Sequence, residues 1–212
     1  MRSRKKFILL MVIFASYTIL SGMICGRVLD LSVQVKDPTT IQISLVKALT
    51  EAKIPAVDGK IPAGIDRLVM MKYVMSTNLK TDSRSKETFQ KYGNKIHSIY
   101  INRIWLTVEE NTMSVDLPKV NVSIAPIGSK DFSDGHIATF MPIVAGQKNI
   151  EPTLLWESDG QKKVIKVLKD YALQVEVSAP VRIKSGMPYP IKGKGMLSMT
   201  LIVEMTFVLK VI

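Results

Sequence analysis

Cysteine occurs once in this chain, at Cys25, so no intrachain disulfide can form and the fold must be held by its apolar core. Aromatic residues are scarce at 7%, and the 12 methionines take over part of the space filling. Histidine occurs twice, at His97 and His136, each without a nearby cysteine. Neither belongs to an H-E-x-x-H or similar metal spacing, and both read as half-buried strand residues. The G-x-S-x-G elbow, the phosphate-binding loop and the dinucleotide glycine pattern are all missing. Glu109-Glu110 is the one adjacent carboxylate pair. On a strand the two would point to opposite faces and could not act together across one bond. Asp131 and Asp134 are too few to make a calcium site by themselves. The expectation is a chain with no catalytic residue, cofactor or metal.

What is present begins with a basic and then apolar leader. Arg2, Arg4, Lys5 and Lys6 precede Phe7 to Ile24, an apolar run broken only by Ser16, Tyr17, Thr18, Ser21 and Gly22. That order is the layout of an export signal, with the cationic end held on the cytoplasmic side. Residues 1–26 are therefore read as a signal peptide or membrane anchor, and residues 27–212 as a single domain. Phe7 to Cys25 would span about 28 Å as a helix, just enough to remain as an anchor in the bilayer. Cleavage after Gly22 or Gly26 and lipidation of Cys25 are the other two fates. For lipidation, Leu20-Ser21-Gly22 has the lipobox character, but Met23 stands where the cysteine belongs and the bulky Ile24 precedes Cys25. The expected address is the extracytoplasmic face of a bacterial membrane, periplasmic or outside.

The body reads as strands. From Leu197 to Val211 every odd position is apolar, while Ser198, Thr200, Glu204, Thr206 and Lys210 occupy even ones. A period of two gives a strand with one apolar face, which needs a covering layer. Leu29 to Val35 alternates likewise and is expected to end at Asp37-Pro38. Thr39 to Ala52 reads as a strand followed by a helical turn, Lys53 to Ile65 as loop, and Leu68 to Val74 as strand. Ser76 to Asn94 is a polar excursion with a short helix at Ser85 to Lys91. Ile96 to Val108 is a strand whose inward set shifts phase between Ile101 and Ile104, predicting a bulge near Asn102-Arg103. A turn at Glu110-Asn111-Thr112 is expected to fold it into a hairpin with the strand around Val120, Val122 and Ile124. His136 to Val144 reads as a strand broken by Pro142. Thr153 to Trp156 and Lys163 to Leu168 are expected as a hairpin about Ser158-Asp159-Gly160-Gln161, and Tyr171 to Val177 as a strand ended by Pro180.

The fold class is thus all-β: an antiparallel β-sandwich, immunoglobulin-like or jelly-roll-like, of about eight or nine strands behind the leader helix. A polar helix-like stretch is followed by the run from Lys95 to Val108 (KIHSIYINRIWLTV). Next come Asp116-Leu117-Pro118 and a Gly/Pro turn into the long terminal strand. This layout resembles exported β-sandwich proteins of the bacterial envelope. The resemblance implies a fold and a location, and no activity.

Net charge is +11, part of it in the leader. Lys162, Lys163, Lys166 and Lys169 form one basic group, and Arg182, Lys184, Lys192 and Lys194 another. On a single edge these eight would make a patch for anionic lipid or glycan. On separate edges they are solvated lysines that block unwanted sheet pairing. Without interleaved exposed aromatics the chain is a poor partner for nucleic acid. Two roles follow: a non-enzymatic cell-envelope module acting through its surface on other envelope proteins, or a carrier of a lipid or other apolar ligand. Membrane contact would run through residues 7–25 if uncleaved, or through a lipidated Cys25. A hydrolase would need a nucleophile brought onto one of the two histidines.

Overall fold

The computed structural model describes residues 29–82, 86–168, 171–190 and 194–211. The leader, Cys25, Lys169 and Lys192 lie outside them. The elements in chain order are β1 (Leu29–Ser44), α1 (Leu45–Glu51), β2 (Asp66–Asn78), α2 (Lys86–Tyr92), β3 (Ile96–Asn111), β4 (Val120–Ala125), β5 (His136–Met141), β6 (Thr153–Trp156), α3 (Gly160–Val167), β7 (Ala172–Lys184) and β8 (Met196–Val211). No helix among the described residues is long and apolar enough to cross a membrane.

The strands form two antiparallel sheets, ordered β1-β8-β3 and β2-β7-β4-β5-β6. First pairs with last, second with second-last, and fourth with fifth, which is the nesting of a hairpin rolled up into a jelly roll. The remaining pair of that scheme, third with sixth, is reduced to a single bridge. Val108 of β3 donates to the Ile150 carbonyl at 2.9 Å, just before the chain turns away so that β6 pairs with β5 instead.

β8 is the middle strand of its sheet, bonded to β1 along 16 residue pairs and to β3 on its other side. Its odd side chains Leu197, Met199, Leu201, Met205 and Phe207 are buried against the second sheet. The matching inward row of β7 runs through Leu173, Val175, Val177, Ala179, Val181 and Ile183. The bulge in β3 falls where the phase shift places it, between Ile101 and Arg103. It returns Ile104, Leu106 and Val108 to the core face after Ile99 and Ile101. The strand-then-helix reading of residues 39–52 also holds. Ser44 caps α1 by accepting from the Lys47 N–H at 3.3 Å.

Four expectations are corrected. β1 runs on through Pro38, which sits opposite Ile202, and β7 runs on through Pro180, opposite Met70. A proline is tolerated within a strand where its missing N–H interrupts no ladder. β1 is an edge strand, and β4 pairs with β7 only as far as Ser178. β3 extends through Glu110 and Asn111, and it does not form a hairpin with β4: the two belong to different sheets. The chain between them crosses the sandwich, burying Met113 and Leu117, and Asn111 holds the crossing by donating to the Val144 carbonyl at 2.8 Å. Finally, residues 160–167 are a helix and not the second arm of a hairpin. Gly160, Val164 and Leu168 recur at intervals of four and are buried, while Lys162 and Lys166 face out.

Candidate functional site

Of the eight basic residues, helix α3 and strand β7 carry five, and they hold them far apart. Lys162, Lys163 and Lys166 project from α3 near the start of β7, whereas Arg182 and Lys184 stand at its other end. From Gln174 to Lys184 the strand covers about 33 Å at its usual rise. Exposed Lys194 precedes Gly195, which lies against Pro190, at the same end as Lys184.

Carboxylates compensate part of each group. The three lysines of α3 share a groove with Asp131, Asp134 and Asp159, one carboxylate for each ammonium. Lys163 Nζ lies 3.1 Å from Asp159 Oδ1 and donates to the His136 carbonyl at 3.1 Å. The Ser133 backbone N–H donates to Asp131 at 2.9 Å and holds that carboxyl below its ordinary range. At the far end Arg182 grips Asp66 with two hydrogen bonds, at 2.8 and 3.0 Å. That guanidinium is the main reason the Asp66 carboxyl is also held low. Such paired surface charges attract anionic lipid or glycan weakly.

The outward face of the five-stranded sheet carries a polar row set by register. Lys72, Ser178, Asn121 and Thr139 stand side by side on β2, β7, β4 and β5. Lys72 reaches Glu176 at 3.2 Å. His136 Nε2 lies 3.1 Å from Glu157 Oε1 and 3.1 Å from Thr139 Oγ1. A hydroxyl–imidazole–carboxylate relay needs the hydroxyl on one ring nitrogen and the acid on the other. Here both oxygens converge on the same nitrogen, an arrangement that orients a ring and transfers no proton between them. His97 falls in the backbone of β3, in the other sheet. Among the described residues no group of three or more His, Cys, Asp or Glu is placed to hold a metal ion.

Two features were not legible from residue type. The first is a row of large apolar side chains turned to solvent on β2, the terminal strand of its sheet. Leu68 is 67% exposed, Met70 41% and Val74 47%. Their alternation was visible, but a strand with apolar residues on both faces does not reveal which face is covered. The second is a cavity of about 180 Å³ between the sheets. Ile104, Leu201 and Met205 line it from the three-stranded sheet, Val122, Val175 and Met75 from the other, and Val164 and Leu168 close it beside α3. Thr77 also lines it, and exposed Ser76 with half-buried Thr39 and Asp82 form a polar rim. A void of this kind arises from how side chains of two sheets meet, which no one-dimensional pattern records.

No family model matches the sequence, and no curated protein matches it. Among solved structures the chain is similar to one of Turnip Yellow Mosaic Virus, with 9% identity over 86% of this chain and 96% of that one, at a TM-score of 0.37. It is similar also to one of Desmodium yellow mottle tymovirus, with 8% identity over 86% and 90%, at 0.35. A Yersinia pseudotuberculosis TcaA–TcaB structure aligns with 90% of this chain but 10% of its own, at 9% identity and 0.31. The sandwich assignment rests on the strand pairing itself.

Proposed function

We propose that the protein is an exported, non-enzymatic module of the bacterial cell envelope that works by associating with a second copy of itself along β2. The observation that carries this reading is the solvent-facing row Leu68, Met70 and Val74 on a strand that, among the described residues, pairs on one side only. An unpaired edge with apolar neighbours is a template for further strand pairing, and a two-fold axis makes such a contact self-complementary. Antiparallel pairing about Met71 sets Leu68 opposite Val74 and Met70 opposite Lys72 across that axis. The apolar row of one copy then lies beside that of the other without opposing like charges. The leader supports the location, because its basic and then apolar order is that of exported chains.

Sedimentation equilibrium of the full chain in detergent tests the contact. The expected mass is two copies at tens of micromolar. One copy is expected for Leu68→Lys/Val74→Lys, which sets like charges opposite each other, with an unchanged circular dichroism spectrum. A single copy for the unmodified chain at the highest attainable concentration, or a dimer that survives the double substitution, overturns it. Alkaline phosphatase fused behind Ile212 is expected to be active, and an inactive fusion would remove the location.

Transport of a long-chain lipid is the less favoured role. A cavity of about 180 Å³ is smaller than the roughly 300–1,000 Å³ of sites that enclose drug-sized ligands.

A further inference from the structure

We infer that the void between the two sheets is a binding site for a compact, uncharged, apolar molecule of about the size of benzene. This inference does not rest on self-association along β2, and the Leu68→Lys/Val74→Lys chain, expected to be a single copy, allows it to be tested separately.

Two observations carry it. The first is size: at about 180 Å³ the space exceeds the roughly 150 Å³ of an apolar protein cavity that stays dry and admits benzene. Protein interiors pack at crystal density and hold few voids larger than a water molecule, so an opening this large in the centre of a sandwich is unusual.

The second is the lining. Ile101, Ile104, Val122, Ile124, Val175 and Leu201 present branched hydrocarbon from both sheets. Met75 and Met205 add flexible thioethers that can adjust to an occupant's shape. Thr39, Ser76, Thr77 and Asp82 are the polar members of the lining.

The mouth lies where Thr39 of β1, Ser76 of β2 and Asp82 make a polar rim.

The test uses the full chain with benzene as probe, read by melting temperature and by methyl NMR of Ile104, Val122 and Val175. Benzene is expected to raise the melting temperature with concentration and to move those methyl signals. Val122→Phe, which fills the space, is expected to abolish both responses. If that variant fails to fold, Val175→Ile serves in its place and is expected to weaken both. Absence of any response overturns the site, and so does binding that moves none of these methyls or survives filling the cavity.

Discussion

Gly135→Ala is expected to cost the fold about 3 kcal/mol or more, lowering the melting temperature by about 10 °C, while Gly93→Ala changes it by no more than a degree or two. Gly135 closes the short 3-10 turn Ser133–Gly135 that leads into β5. A methyl group built on it would come within 1.8 Å of the Ile124 carbonyl oxygen and 2.9 Å of its carbon. Those atoms belong to β4, the strand that pairs with both β5 and β7, so they cannot retreat without opening two ladders. Overpacking against backbone cannot be relieved by changing a rotamer, unlike overpacking against a long side chain. Gly93 is the fair comparison, since the nearest atom to its added methyl is a Phe89 ring carbon at 3.9 Å, an ordinary contact. Thermal unfolding followed by circular dichroism measures both. Equal melting temperatures would mean that the turn does not approach β4 as described.

The second large effect is expected at Phe207→Ala, about 3–5 kcal/mol, against less than about 1 kcal/mol for its neighbour Thr206→Ala. Phe207 is fully buried on the inward face of β8. Its ring meets Phe89 edge-on at 5.3 Å, and Phe89 in turn meets Tyr171 at 5.0 Å. This small stack ties α2 and the start of β7 to the middle strand of the opposite sheet, so truncation leaves a cavity beneath three elements. Thr206 points the other way, where its hydroxyl accepts from Asn102 Nδ2 at 2.7 Å on the exposed face. Urea unfolding of the two variants gives the difference directly. Similar losses at both positions would mean that β8 does not present two distinct faces.

That contrast also shows what the sequence could and could not convey. The period-two alternation of β8 was legible because its core face carries apolar residues at every position, so a one-residue slip would expose all of them. The bulge of β3 was legible for the same reason: Ile101 and Ile104 cannot both face inward on a regular strand. The run from Lys163 to Leu168 misled because, at six residues, a mixture of lysine and branched apolar side chains fits both periods. What decides it is Gly160, where a methyl group would come within 2.5 Å of the Ile137 carbonyl oxygen: α3 is seated directly on the end of β5. Pro38 and Pro180 misled in the opposite direction. A proline ends a strand where its missing N–H interrupts a ladder; β4 pairs with β7 only as far as Ser178, short of Pro180, and β1 is the terminal strand of its sheet among the described residues. The basic groups could be counted, but their compensation by Asp66, Asp131, Asp134 and Asp159 depends on folding, since Asp66 and Arg182 stand 116 positions apart.

The central claim is that β8, bonded on both sides and covered by the second sheet, is the strand about which the sandwich is built. Amide hydrogen exchange of the native full chain tests it most directly. The amides from Leu197 to Phe207 are expected to be the slowest in the domain, exchanging only through global unfolding, while those of the edge strand β2 exchange through local opening. Exchange along β8 as fast as along β2 would contradict the claim.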